Sequence, residues 1–399
     1  MPGIYIHIPF CAKKCDYCDF YSININDADA DVYVDSLLEE MRLWSKKTNK
    51  EFDTAYLGGG TPSLLGQKNL ARILDGIYKN FNMAKNAEIT SEGNPSDFAD
   101  KGKVRDFKDA GVNRLSVGIQ TMNDDTLNTV GRMQSKKLNL KALECISSVF
   151  DNYSADVMLG LPREGQKDVE DTVRDILNAG GSIPKKRAIE NAKRDIENTM
   201  QDVEPFGIKH LSVYALKIEE NTPLYKKVGN GEILSQDDDA IADYYDFVRG
   251  YLEKFGFERY EVSNFAKKGY ACRHNLTYWR RGEYLGLGAA AHSLIDEVRF
   301  ENPKSLKAYL LALKKGALPY ENVLKISKEQ ALSEKIMLGF RLKEGLDSKA
   351  LNDWFGIDFF NRYSKALKRF DKCLDVSDGK ISIKNEFLYV MNTIITEFL

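Results

Sequence analysis

The sequence predicts an α/β fold: a parallel sheet flanked by helices, followed by a mainly helical C-terminal region. Three observations predict it. Short β-rich runs recur through the first half of the chain, at Ile4–Ile8, Thr54–Leu57, Ala87–Ser91, Arg114–Gly118, Ala155–Leu159 and His210–Leu216. Amphipathic stretches such as Val32–Lys46, Leu70–Phe81 and Val104–Ala110 lie between them, and such alternation builds βαβ units. The 399 residues are 43% hydrophobic and 29% charged, a globular composition with core enough for two or three domains. Periodicity alone does not separate a partial barrel from an open sheet. In both, loops at the C-terminal ends of the strands gather on one face and carry the site.

Taken in order, the first run alternates, so Tyr5 and His7 share a face opposite Ile4, Ile6 and Ile8. His7 is as readily a core histidine as a site residue. The segment Ala179–Glu204, with Gly180-Gly181, Pro184 and a charged stretch, reads as a longer crossover with an exposed helix. Polar and glycine-rich residues near Gly229–Asp239 mark a boundary, followed by a helix at Ala240–Phe255 and a stretch rich in Tyr, Gly and Ala at Tyr260–Ser293. Ser327–Leu399 reads as helical with a short hairpin at Leu374–Ile383 and a last helix at Phe387–Phe398, a winged-helix-like arrangement. The expected units are 1–228, 229–326 and 327–399.

Lys and Arg number 57 against 59 Asp and Glu, a net charge of −2. Such a chain has no global attraction to nucleic acid or acidic lipid, so no nucleic-acid partner is expected. No apolar run reaches the ~18 residues of a membrane span. The start, Met1-Pro2-Gly3-Ile4, has no basic stretch followed by an apolar one, and a cytoplasmic location is expected.

Three of the six cysteines, Cys11, Cys15 and Cys18, fall in CAKKCDYC, directly after the first run. In a reducing compartment this reads as a metal or redox site. A zinc site usually has four protein ligands in C-x2-C pairs, and no second pair exists. A four-iron cluster held by three cysteines keeps one iron open to a ligand. A plain zinc-binding structural domain is the bland alternative.

The C-x3-C-x2-C spacing after a first strand resembles the radical S-adenosylmethionine (SAM) superfamily. More narrowly, YIHIPFCAKKCDYCDF, YLGGGTPS, SVGIQTMNDDTL, DVMLGLP and HNLTYW, in this order, resemble the HemW family of heme chaperones. The resemblance covers nearly the whole chain. It implies a partial (β/α)6 TIM-like barrel carrying the radical SAM core over 1–228, and a heme-binding and linking region over 229–326. It implies a [4Fe-4S] cluster on Cys11, Cys15 and Cys18. The open iron would be chelated by the amino and carboxylate groups of SAM, whose reductive cleavage gives a 5′-deoxyadenosyl radical. Tyr5, Tyr17, Gly59, Gly60, Thr61, Glu92, Gln120, Arg132 and Asp156 are thereby carried over to SAM binding. The residue chemistry agrees: carboxylates suit ribose hydroxyls and ammonium groups, and a guanidinium makes forked bonds to a carboxylate.

His274, in HNLTYW, is implied as the axial ligand of heme. Histidine is a common heme ligand, and nearby aromatics and Arg273 suit a porphyrin and a propionate. Cys272 is a minor alternative, and His292 and His210 read as core residues. The partners implied are heme, an unidentified heme-acceptor protein and an electron donor such as flavodoxin or ferredoxin. An acceptor in a respiratory chain would bring a transient membrane contact. The related oxygen-independent coproporphyrinogen III oxidase carries a further cysteine where this chain has Phe20, and an N-terminal extension absent here. A radical decarboxylase acting on coproporphyrinogen III is the runner-up, and whether the chain is an enzyme stays open.

Overall fold

A computed structural model describes residues 1–179 and 207–399. The expected crossover and charged helix at 179–204 therefore lie, but for Ala179, outside the described residues. The strands are β1 (Gly3–Ile8), the two-residue β2 (Phe10–Cys11) and β3 (Ile23–Asn24), β4 (Glu51–Gly59), β5 (Asn82–Gly93), β6 (Arg114–Gln120), β7 (Tyr153–Leu159) and β8 (His210–Ala215). They continue with β9 (Glu258–Glu261), β10 (Asn264–Ala266), β11 (Tyr284–Leu287), β12 (His292–Ile295), β13 (Val298–Glu301), β14 (Glu321–Lys325), β15 (Leu346–Asp347), β16 (Leu374–Ser377) and β17 (Lys380–Ile383).

All six expected runs are strands, and β1-β4-β5-β6-β7-β8 pair as parallel neighbours in chain order. β11 joins β1 in parallel, and β12, β13 and β14 extend that edge antiparallel. β10 and β9 extend the other edge beyond β8. The two outermost strands, β14 and β9, do not pair, so the twisted sheet is a barrel left open. The Tyr-, Gly- and Ala-rich stretch around Tyr260–Ser293 contributes several of these added strands. They are three or four residues long, too short for periodicity to reveal.

Alternation explains the layering. On β1, β4, β5, β6, β7 and β8 one row is aliphatic and packs on the surrounding helices: Ile4, Ile6, Ile8, Ala55, Leu57, Ile89, Leu115, Val117, Ala155, Val157, Leu211 and Val213. Each such fully buried Val, Leu or Ile contributes about 1.5–3 kcal/mol. The opposite row is polar and lines the interior: Tyr5 and His7, Thr54 and Tyr56, Glu88 and Glu92, Arg114 and Ser116, Ser154 and Asp156, His210 and Ser212. Register keeps these rows level, with Tyr5 beside Tyr56, Thr54 beside Glu88, Glu92 beside Ser116 and Ser154 beside His210.

The outer helices begin with side-chain caps, as at Asp29, whose carboxylate accepts from Asp31 N–H (2.9 Å) and Val32 N–H (3.2 Å). The first of these helices, Ala30–Trp44, carries a fully buried carboxylate, Glu40. Glu40 accepts from Gly288 N–H (2.8 Å), Asn302 Nδ2 (2.6 Å) and Tyr309 OH (2.7 Å), tying the helix to the loop after β11. Burial nevertheless pushes its pKa up to about 7.

Residues 326–398 form a second hydrophobic core around Ile336, Phe340, Phe359, Ile381 and Ile394. Helix Lys328–Gly339, β15, helices Ser348–Phe355, Phe359–Arg362 and Ser364–Arg369, then the β16–β17 hairpin follow one another, with β15 paired to β17. This is the order of a winged helix. The expected last helix splits into a 3₁₀ turn, Asn385–Val390, and an α-helix, Met391–Thr396.

Candidate functional site: a cysteine-rimmed cavity above a polar barrel

The loop from Cys11 to Cys18 sits over the C-terminal end of the barrel, and its backbone is fastened on three sides. Asp16 N–H donates to Val130 O (3.0 Å), Leu224 N–H to Asp16 O (2.8 Å), and Lys227 Nζ pairs with the Asp16 carboxylate (2.7 Å). Its ends are tied by β2–β3 pairing and by Asn24 Nδ2 to Ala12 O (3.1 Å). The three cysteines stay partly exposed, and burial pushes the Cys18 thiol up.

Beneath this loop lies a cavity of about 390 Å³. Cys11, Cys15, Cys18, Tyr17, Gly59, Gly60, Thr61, Glu92, Gln120, Arg132 and Asp156 all line it. Of the residues assigned to the cluster and SAM from the sequence, Tyr5 alone is not on its wall. Tyr5 lies within the barrel, bonded to His7 Nδ1 (3.0 Å) and stacked on Tyr56. Phe20 also lines the cavity and is 65% exposed at its mouth.

Each wall residue is fixed by its neighbours. Gly59 has φ +106°, and a Cβ there would sit 2.4 Å from the His7 ring; at Gly60 it would meet the Phe10 carbonyl oxygen at 2.6 Å. Glycine is what lets this turn press against β1 and leave its backbone open to the cavity. Glu92 accepts from Tyr56 OH (2.7 Å) and Gly59 N–H (3.3 Å). Burial, aided by Asp156, pushes its pKa up to about 7. Asp156 accepts from Ser116 Oγ (3.1 Å) and is also held up by burial. Gln120, at the end of β6, has φ +67°, a left-handed conformation uncommon outside glycine.

Three cations line the cavity, Lys13, Lys14 and Arg132, and Arg132 is the most fully bonded of them. It donates to Tyr17 OH (3.0 Å), Asn94 Oδ1 (2.9 Å), Gly118 O (2.8 Å) and Gln134 Oε1 (2.8 Å), and lies 3.6 Å from Cys15 Sγ. These acceptors are neutral, and among the described residues Arg132 makes no carboxylate ion pair. Asn94 in turn donates to Thr61 Oγ1 (3.2 Å), whose hydroxyl faces Cys11 Sγ at 3.7 Å. Asn94, Gln134, Ser116 and Tyr56 were not found from the sequence. The usable signal was strand alternation, which puts Tyr56 and Ser116 on the rows of Tyr5 and Asp156.

The donor set fits the groups the family implies. Among the described residues no three acidic, His or Cys side chains converge on one ion. A four-iron cluster would be held with each cysteine ligating a different iron, so no such convergence on a single ion is needed. An uncompensated guanidinium on one wall and two carboxylates on another match the opposite charges of an amino-acid head and the hydroxyls of a ribose.

The HNLTYW motif occupies the opposite, N-terminal end of the barrel. Its helix, Arg273–Trp279, starts at the Glu88 carboxylate, which accepts from Arg273 N–H (3.2 Å) and His274 N–H (3.1 Å) and lies 3.5 Å from Cys272 Sγ. His274 is 1% exposed. Its Nδ1 is 2.8 Å from Thr54 Oγ1 and its Nε2 2.9 Å from Tyr278 OH, while the ring stacks on Tyr56 at 5.1 Å. Burial, aided by Arg114, lowers its pKa to about 3, so the ring is neutral. A neutral imidazole has one donor and one acceptor nitrogen, and both are spent. Heme iron at His274 therefore does not fit this arrangement of the ring. Arg273 donates to the carbonyls of Asp53 and Asn86. Cys272 is buried, its thiol pushed up to about 12 by burial. His210 is a core residue bonded to Ser154 and Tyr260, and His292 is exposed and pairs with Glu301, a departure from the core expectation.

A radical SAM superfamily model matches residues 5–176, and a HemN C-terminal domain model matches residues 326–390. The heme chaperone HemW of Bacillus subtilis is 32% identical over 92% of this chain and 90% of its own length. The chain belongs to the HemW family. HemW of Haemophilus influenzae is 30% identical over 98% of both chains, and HemW of Escherichia coli 34% identical over 73% and 70%. In fold, the coproporphyrinogen III oxidase HemN of Escherichia coli superposes with a TM-score of 0.79 over all of this chain and 90% of its own, at 20% identity. Membership of the radical SAM superfamily implies a [4Fe-4S] cluster and SAM. Among the described residues no helix is long and apolar enough to cross a membrane.

Proposed function

We propose that this chain is a heme chaperone, which binds heme and passes it to an acceptor protein while keeping a cluster and SAM site. The match to HemW chains along nine-tenths of both sequences carries this reading. Phe20 in place of a fourth cysteine supports it over the oxidase. Cys11, Cys15 and Cys18 hold the cluster. Arg132 holds the SAM carboxylate, Gly59 and Gly60 offer backbone to its amino group, and Glu92, Gln120 and Asp156 hold its polar groups, with Thr61 and Tyr17 packed alongside. Tyr5 acts from below, through Tyr56. When bound, the cluster and SAM supply one-electron chemistry at a sulfonium.

Under this reading residues 1–228 serve the cluster and SAM, 229–326 serve heme, with His274 open to the iron only once its ring leaves Thr54 and Tyr278, and 327–399 form the C-terminal appendage. A cytoplasmic flavodoxin or ferredoxin supplies electrons, and the heme acceptor is a protein that touches a membrane transiently if it belongs to a respiratory chain. The test is anaerobic. Cluster-loaded protein is given SAM, reductant and coproporphyrinogen III, and a parallel sample is titrated with hemin. Saturable hemin binding without protoporphyrinogen IX is expected. Formation of protoporphyrinogen IX, or no hemin binding, overturns the reading.

A further inference from the structure

Two cavities, of about 430 and 230 Å³, lie on the outer side of the motif helix where it meets the C-terminal unit. They share Arg280, Leu342 and Glu344, so they form one cleft crossed by the Arg280–Glu344 ion pair (3.0 Å). Both partners of that pair are half exposed, and such a surface pair holds the cleft divided by only about 0–1 kcal/mol. Leu276 and Trp279, from the face of the motif helix turned away from His274, line it. The Trp279 indole N–H is bonded to Glu261, which fixes its ring. Trp354, 60% exposed, stands across from it.

The charges of the cleft do not balance. Glu258 pairs with Lys343 (2.9 Å), Glu344 with Arg280, and Asp347 caps the helix Ser348–Phe355 by accepting from Ala350 N–H (3.0 Å). Lys267, Lys268 and Lys335 also line the cleft and make no ion pair among the described residues. Lys335 Nζ lies 5.7 Å over the Trp354 ring. Flat indole faces beside surplus ammonium groups suit a planar aromatic dianion.

We propose that this cleft is a porphyrin seat. The macrocycle lies against Trp279 and Trp354, the propionates meet the unpaired lysines, and axial ligation of the metal is not required. The proposal rests on the heme-chaperone reading and adds to it a place for the ligand while both His274 nitrogens are engaged.

The experiment titrates cluster-loaded protein, anaerobically, with hemin and with metal-free protoporphyrin IX, following tryptophan emission and visible absorption. Both porphyrins are expected to bind and quench. Trp354→Ala and Lys268→Glu, both at the surface, should each weaken both porphyrins by about tenfold, with cluster iron and thermal midpoint unchanged. His274→Ala should leave the metal-free porphyrin unaffected. Wild-type affinity for both porphyrins in Trp354→Ala and Lys268→Glu overturns the seat. So does a wild type that binds hemin but not protoporphyrin IX, which leaves the chaperone reading standing. A wild type that binds neither overturns both.

Discussion

Replacing Thr54 by Val tests whether His274 must leave its pocket to meet iron. Thr54 lies on β4, outside the HNLTYW motif, and its hydroxyl is 2.8 Å from His274 Nδ1 in a fully buried setting. Valine keeps the shape and removes the one bond made to that nitrogen among the described residues. A buried polar atom left without a partner costs about 1–3 kcal/mol. The cost falls on the closed ring alone, because a released ring finds water or iron. The released fraction therefore rises by about 5- to 150-fold, and apparent affinity rises in proportion while the closed form dominates. Hemin titration of wild type and Thr54→Val, read in the Soret band, should show tighter binding in the variant. Adding His274→Ala should abolish the gain. Unchanged or weaker binding in Thr54→Val, at equal cluster content, refutes release of His274 as part of heme binding.

Other outcomes follow from the same structure. Cys15→Ser removes one corner of the proposed cluster site, so iron per chain should fall severalfold after anaerobic reconstitution, while Cys373→Ser, in the C-terminal unit, should hold the wild-type ratio. Burial pushes the Glu92 pKa up to about 7, and its charged form suits the cationic head of SAM. Calorimetric SAM affinity should therefore rise from pH 6 to pH 8, by about tenfold at most, and flatten in Glu92→Gln. Glu40, raised to about 7, keeps its proton in the folded chain at pH values where the unfolded chain has lost it. Stability should thus fall as pH climbs from about 4.5 to about 7, by up to about 3 kcal/mol from this group. Urea unfolding across that range should give a shallower slope for Glu40→Ala.

The parallel strands were legible because each carries an aliphatic row that must meet helices, and a period of two survives in five residues. The cysteine loop was legible because three thiols in eight positions have few other uses. Asn94 and Gln134 were not, because their part in the site is to aim Arg132, and a polar residue in a turn looks the same whether it aims another side chain or faces water. Glu88, a charge in the middle of AEITS, was a visible anomaly; its meaning lay in a helix 185 residues downstream that only folding brings to it. The pocketing of His274 was likewise invisible, because the motif spells out a ligand without saying which other groups already hold it.

The polar inner row of the sheet has a consequence for how such a chain can change over generations. Its outward aliphatics are interchangeable, since oily contacts forgive a methyl group gained or lost. Its inward alcohols, acids and guanidinium cohere by direction, and one misplaced donor disturbs the next. Neutral drift should accumulate on the outside of the strands and stall on the inside, so comparison of many such chains would trace the lumen as a frozen stripe on every second residue.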